Sequence, residues 1–384
     1  MKDRRRIFWY NVLRNVARPF VVKKMNYEGD IVDLGDSTSM IVCNHVTDVD
    51  IILLGMSFPQ HMCTIASEHI FRWGIASSLL KHFFNIIPRF KGKVEVNTAL
   101  EALRFMKNGV NVALFPEGSR TFDGKTKKII PSTGKLAKMG NVDLVTYRIE
   151  GAYFTSPRWS KKFRKGKVRG RLVGRYTAEE LKGMTFEEVN EIIARDLYED
   201  AYSRQRENPI PYVGENLAIC IETALYVCPL CKKIGTITSE VDDFRCSCGL
   251  TARYNEYGFI EGEGLPYDNV TDWNEWQVSY LEEYISNLGE NDIICSDEDQ
   301  DLYFVEPCVK TTLIGKGTLT VSKSALTCGE YTFPIKNIVN MAICSKLILT
   351  FSTTDGKDYE INSNIIRSAL KYQTIIAILK ADSK

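Results

Sequence analysis

One imidazole and two carboxylates open the chemistry of this chain. The run Asn44-His45-Val46-Thr47-Asp48-Val49-Asp50 places acids three and five positions after His45. Imidazole titrates near neutral pH, so it can take a proton from a hydroxyl, and a neighbouring carboxylate fixes its tautomer and steadies the imidazolium that forms. On chemistry alone Asp48 and Asp50 compete for that role. Later, Phe115-Pro116-Glu117-Gly118-Ser119-Arg120 puts an acid, a flexible glycine, a hydroxyl and a guanidinium on one turn. A guanidinium binds phosphate oxygens through two parallel hydrogen bonds, so this turn reads as a phosphate grip. A strand end running into a glycine turn is the plainer alternative. Ser39 and Thr47 are nearby hydroxyls, but capping and turn bonds account for them, and nothing beside His45 calls for a covalent intermediate.

A second chemical cluster lies far downstream. Cys228-Pro229-Leu230-Cys231 and Cys246-Ser247-Cys248-Gly249 offer four thiolates from two tight turns, the usual arrangement of a tetrahedral zinc site. Four thiolates leave no open coordination position, so the implied metal is structural. The second pair has one residue between its cysteines where two is the usual spacing. A redox pair or four unligated thiols are the competing readings, and Cys220 is too far from the first pair to be a favoured ligand.

In their order and spacing, the His45 and Glu117 runs resemble the glycerolipid acyltransferase family, which includes the 1-acylglycerol-3-phosphate and other lysophospholipid acyltransferases. Ile86-Ile87-Pro88-Arg89 and Leu144-Val145-Thr146-Tyr147-Arg148 are weaker matches to two further family blocks, and the resemblance covers roughly residues 1–205. It implies acyl transfer from a thioester to the hydroxyl of a lysophospholipid, 1-acylglycerol 3-phosphate to phosphatidic acid above all. His45 would be the general base, and family spacing favours Asp50 over Asp48 as its partner. Arg120 and Arg89 would bind the acceptor's phosphate. Glu117 would orient Arg120 or a glycerol hydroxyl, and Gly118 would let backbone approach the ligand. Ser119 stands where the family often carries Thr and keeps the hydroxyl. Arg89 follows Pro88 where many relatives carry Asp, so that block fits only in part. Lys125 and Lys135 lie in stretches the family keeps basic, though solvated lysines explain them equally well. The donor would be acyl-CoA or acyl-carrier protein, with no catalytic cofactor.

Those residues need elements to position them. Residues 39–43 read as a buried strand feeding the His45 run, with an apolar helix from Ile51 to Met56 behind it. A strand at 62–66, a helix around 73–84, a helix over 97–108 closed by Asn108-Gly109, a strand at 110–115, a helix near 132–139 and a strand at 142–150 complete an alternating α/β pattern. Both motifs then sit beyond the C-terminal ends of strands, where open α/β sheets place ligands. Thr185-Phe186-Glu187-Glu188 opens a further helix as a capping box.

After Asn208-Pro209-Ile210-Pro211-Tyr212 the character of the chain changes. The expected fold is an α/β acyltransferase-like domain over 1–212, a small zinc ribbon over 216–262 and a helical linker over 263–290. A β-rich, barrel-like domain of pleckstrin-homology or related type then occupies 291–384, with Asp355-Gly356 as a hairpin turn and a terminal helix from about 364 to 379.

Charge bounds the partners. The 384 residues carry a net charge of +1, which argues against a general nucleic-acid binder. The N-terminus gathers Lys2, Arg4, Arg5, Arg6, Arg14, Arg18, Lys23 and Lys24 around Ile7, Phe8, Trp9, Val12, Leu13 and Val16. Such a helix suits an anionic membrane surface or packs as an ordinary surface helix. The run from Arg158 to Arg169 is similarly basic and reads as facing headgroups or the carrier's phosphates, as a solvated loop, or as a grip on single-stranded nucleic acid. No apolar run approaches the ~20 residues that span a bilayer, no signal-peptide pattern is seen, and eleven cysteines are an odd number for a disulfide framework. A protein peripheral on the cytosolic face of a membrane is expected. The alternative function is a non-catalytic lipid-binding adaptor that recruits partners through its zinc and β modules. An RNA-associated role rests on the ribbon and basic loop alone.

Overall fold

The computed structural model describes residues 4–67, 86–89, 96–306 and 310–381. The helix expected around 73–84 lies outside the described residues. The chain forms two compact units, one of residues 1–158 and 163–213, the other of 159–162 and 214–384.

The first unit is built on seven strands: β1 (Tyr27–Gly29), β2 (Ser39–Cys43), β3 (Met62–Ser67), β4 (Ile87–Arg89), β5 (Asn111–Leu114), β6 (Asp143–Glu150) and β7 (Val168–Tyr176). They lie in the order β1-β7-β6-β2-β5-β3-β4. Neighbours run parallel except β6 and β7. A parallel sheet must be covered on both faces, and its strands read as continuous apolar runs. Ser-Met-Ile-Val-Cys of β2 is buried at all five positions. Met40, Val42, Val112, Leu114 and Leu144 share one core with Met106, Ala137, Val189 and Ile193 from the covering helices. Ile41, Ala113 and Val145, one position out of phase, are buried on the opposite side.

The helix expected at 51–56 runs Asp50–Ser57, and the capping box at Thr185 is formed as read, heading the helix Phe186–Leu197. The N-terminal helix Arg4–Met25 is docked through one face. The Tyr10 hydroxyl donates to the carbonyls of Gly55 and Phe58, and the Arg14 guanidinium donates to those of Gly55 and Met56. A cation thus closes the C-terminal end of the helix Asp50–Ser57.

The second unit combines two sheets. A four-stranded antiparallel ribbon comprises β8 (Ile237–Glu240), β9 (Asp243–Cys246), β10 (Thr251–Tyr254) and β11 (Ile260–Glu261). The helix Val270–Ser286 is packed onto the segment that carries the first cysteine pair. Its Trp273 indole N–H donates to the Val227 carbonyl, while the Gln277 side chain accepts from the Tyr226 N–H and donates to the Ala224 carbonyl.

A curled sheet of seven antiparallel strands follows: β12 (Cys295–Glu306), β13 (Lys310–Val321), β14 (Ala325–Cys328), β15 (Tyr331–Pro334), β16 (Ile338–Cys344), β17 (Ile348–Thr353) and β18 (Asp358–Ser363). Their order is β15-β14-β13-β12-β18-β17-β16, a half-barrel closed by the helix Ala369–Ala381. Register shifts in β12 supply the bend. The terminal helix starts later than the sequence pattern suggests because Ser368 caps it. The Ser368 hydroxyl accepts from the Lys371 N–H and donates to the Thr223 carbonyl.

The buried Asn44 side chain joins the end of β2 to β6. Its amide donates to the Ile149 carbonyl at 2.8 Å and its oxygen accepts from the Ile149 N–H at 2.7 Å. Asn44→Leu keeps the volume and leaves both backbone groups unpaired, which costs on the order of 2–5 kcal/mol. The urea midpoint of the first unit is expected to fall accordingly, and an unchanged midpoint would show that Ile149 finds other partners.

Candidate functional site

β2 and β5 are adjacent and parallel, with Val42 opposite Leu114. Their C-terminal ends therefore open side by side, and the loops that follow, distant in sequence, face each other. The His45 N–H donates to Glu117 Oε1 at 2.6 Å, and the Thr121 N–H donates to the His45 carbonyl at 3.1 Å. The His45 ring lies flat on Phe115, with centroids 4.4 Å apart.

Asp50 is the imidazole's partner. Its Oδ2 lies 2.9 Å from His45 Nδ1 and also accepts from the Val46 and Thr47 N–H groups, while Oδ1 accepts from the Thr47 hydroxyl. A fully buried carboxylate at the first turn of a helix is favoured by those donors and by the helix dipole. A carboxylate can only accept, so Nδ1 is the donor to Asp50, and in the neutral ring Nε2 is then the nitrogen with the lone pair. The His45 side chain is 24% exposed, enough for a substrate to reach it.

Asp48 is placed differently. Its carboxylate is mostly exposed and pairs at 3.0 Å with Nη1 of Arg120. The competition left open by chemistry alone is thus divided by geometry, one acid to the imidazole and the other to the guanidinium.

Glu117 is buried and spans two loops, because its second oxygen accepts from the Lys127 N–H at 2.8 Å. Burial pushes this carboxyl up to about 7, although the Lys127 and His45 N–H groups pull the other way. It does not touch Arg120 in the way expected of an orienting acid; its partners are backbone. Gly118 adopts φ +71°, the left-handed conformation a glycine takes without strain. The Ser119 hydroxyl accepts from the Lys127 ammonium at 3.3 Å. Arg89 ends β4, at the same C-terminal edge of the sheet as the two loops, and its side chain lies outside the described residues.

Two further cations lie against the turn, Lys127 and the Arg158 that opens the basic run. Lys127 is turned inward over the Phe122 ring, and burial together with Arg158 lowers it to about 8. Arg158 also lies over that ring, 4.2 Å from its centroid, and donates to the Arg120 carbonyl. The Lys125-Thr126-Lys127-Lys128 run gives no sequence signal for which lysine faces inward, and Lys135 is exposed on its helix. The basic run after Pro157 is no free loop: Arg158, Trp159 and Arg164 are buried, leaving Lys161, Lys162 and Lys165 to solvent. A small cavity beside the His45 loop is lined by Asn44, Glu117, Thr121, Tyr153 and Glu199.

In the second unit, Cys228, Cys231, Cys246 and Cys248 gather with all four sulfurs within 4.8 Å of one another. The first pair lies on a turn in which the Lys232 N–H donates to the Cys228 carbonyl, and Lys232 itself has φ +61°. The second pair lies on the β9–β10 hairpin, where Gly249 has φ +101°. The Sγ pairs 228–248 and 231–246 are each 3.7 Å apart. A tetrahedron with metal–sulfur bonds of 2.3 Å has edges of about 3.8 Å, so these two edges match a tetrahedral ion and the donor set is of the size that one ion would hold.

Residues 24–150 match the family model described as Acyltransferase. The chain is also similar to the crystal structure of the 1-acyl-sn-glycerophosphate (LPA) acyltransferase PlsC from Thermotoga maritima. Identity is 24%, over 51% of this chain and 81% of that one, with a TM-score of 0.40. The residues matched by that family model include His45, Asp50 and the Glu117–Arg120 turn.

Elemental analysis of purified protein is expected to find about one metal ion per chain. Stripping it should expose the ribbon, residues 216–262, to proteolysis while the first unit keeps its structure. A metal-free protein with an intact, protected ribbon would show that the thiols hold that fold without an ion.

Proposed function

We propose that this protein transfers a fatty acyl group from an acyl thioester, acyl-CoA or acyl-carrier protein, to the hydroxyl of a lysophospholipid. The acceptor we favour is 1-acylglycerol 3-phosphate, giving phosphatidic acid. The observation that carries the reading is the His45 imidazole, fixed at Nδ1 by buried Asp50, beside a turn that presents Arg120.

In this mechanism the acceptor hydroxyl gives its proton to His45 Nε2 as its oxygen attacks the thioester carbonyl. The imidazolium is stabilised by Asp50. Collapse of the tetrahedral intermediate breaks the carbon–sulfur bond, and the departing thiolate takes the proton back from His45, so no protein nucleophile is acylated. Arg120, backed by Lys127 on Ser119, holds the acceptor's phosphate, and we assign Arg89, which ends β4 at the same edge of the sheet, to that phosphate as well. Glu117 and Gly118 set the shape of the turn. Zinc is the metal we assign to the four thiolates, in a structural role.

No helix among the described residues is long and apolar enough to cross a membrane. On the Arg4–Met25 helix, however, Trp9, Leu13, Val16 and Phe20 follow i, i+4, i+7, i+11 spacing and are exposed, away from the docked Tyr10 and Arg14. We assign this stripe, flanked by basic residues, to an anionic bilayer surface on the cytosolic side, where the lipid acceptor resides.

His45→Ala is expected to lower kcat by roughly a hundred- to ten-thousand-fold in protein with unchanged thermal stability, since general-base removal has that cost. Activity within a few-fold of wild type would remove His45 from the mechanism. Trp9→Ser combined with Phe20→Ser should weaken co-sedimentation with phosphatidylglycerol vesicles while leaving turnover of a soluble short-chain acceptor intact. Equal vesicle binding by the double variant would place the membrane surface elsewhere.

A further inference from the structure

We infer that Asp48 is an internal stand-in for the acceptor's phosphate and sets the charge of the headgroup the site accepts. The inference rests on the reading of Arg120 as the phosphate-binding residue. Three observations carry it. Asp48 is not used by the imidazole, whose ring nitrogen is already held by Asp50. Its carboxylate sits on Arg120 Nη1 at 3.0 Å, and it is the one carboxylate on that guanidinium among the described residues. The pair is lopsided: the Arg120 side chain is 15% exposed and Asp48 is 59% exposed, so the acid can swing into solvent while the guanidinium stays.

The consequence is a competition between anions. A ligand must displace a tethered carboxylate of charge −1, which is present at high effective concentration because it is three residues from His45 on the same loop. A phosphate diester headgroup also carries one negative charge and gains little from the exchange. A phosphate monoester carries close to two at neutral pH, and it has more oxygens for the guanidinium fork. Lys127 and Arg158, on the inner side of the same turn, add positive charge that a dianion uses more fully. Asp48 therefore acts as a specificity residue: it leaves monoesters such as lysophosphatidate as good ligands and keeps out diester lyso-lipids. With no ligand bound, it also neutralises a guanidinium that would otherwise collect stray anions.

The test is Asp48→Asn, assayed on lysophosphatidate and on lysophosphatidylglycerol with the same acyl donor. Replacing an exposed ion-pair partner has modest effects, so KM for the diester should fall about two- to five-fold, with KM for the monoester changing less than about two-fold. The donor's KM should not move. In an Arg120→Ala background the same substitution should have no effect on the ratio of the two acceptors. A ratio unchanged by Asp48→Asn, or changed equally without Arg120, overturns the inference, as does a rise in KM for both acceptors, which would make Asp48 an aligning residue for Arg120. If Arg120→Ala alone raises the donor's KM and leaves the acceptor's, the phosphate site itself is misplaced, and the proposed function rather than the Asp48 inference is what fails.

Discussion

The parallel pairing of β2 with β5 is the constraint on which the site depends. Each strand delivers one loop, and the loops meet only because Val42 lies opposite Leu114 and the chain leaves both strands in the same direction. A shift of one residue would exchange Met40 and Val42 with Ile41 between two covered faces, so the fit of side chains in each core, rather than an alternation of apolar and polar positions, holds the register. Asn111 reinforces it at the opposite end of β5, where its side chain accepts from the Ser39 N–H at the start of β2 and donates to the His61 carbonyl before β3. Chemistry at the open end of the sheet is thus held in place by burial and by a side-chain clamp at the closed end.

Two buried carboxylates then convert adjacency into geometry. Asp50 gathers four donors from the loop that follows β2, and Glu117 takes one backbone N–H from that loop and one from the segment carrying Lys127. Removing such an acid leaves buried N–H groups without acceptors as well as altering charge. The two acids differ in consequence. Asp50 is held by donors from a single loop and by the imidazole, whereas Glu117 bridges two loops and its carboxyl is pushed up to about 7 by burial. The brace between the loops is therefore the component whose charge state changes close to neutral pH.

Much of this was legible in the sequence. Residues 39–43 announce β2 because a strand buried on both faces is apolar throughout, and Thr185 with Glu188 announces a helix start because the capping box is a local device. The two cysteine turns were equally plain, since a proline, a glycine and paired thiols encode them without tertiary help. What stayed hidden depended on tertiary contacts. Lys127 differs from Lys125 and Lys128 only in facing Ser119 and Phe122, and the terminal helix begins at Ala369 because Ser368 meets the Thr223 carbonyl, which the local pattern after residue 364 does not reveal. The burial of Trp159 and Arg164 within a run of lysines was hidden for the same reason.

The His45 run shows how far residue types alone can go. Two aspartates two positions apart are chemically identical, yet the helix that starts at Asp50 gives them opposite fates. Asp50 lies at its first turn, where free N–H groups of the preceding loop converge and burial is complete. Asp48 remains in the loop before the helix, exposed and turned toward Arg120. An acid in the first place can hold an imidazole without moving, and an acid in the second can leave its partner at little cost. A base must keep one tautomer through every turnover, whereas a ligand site must open and refill, so each acid stands where its mobility matches the task.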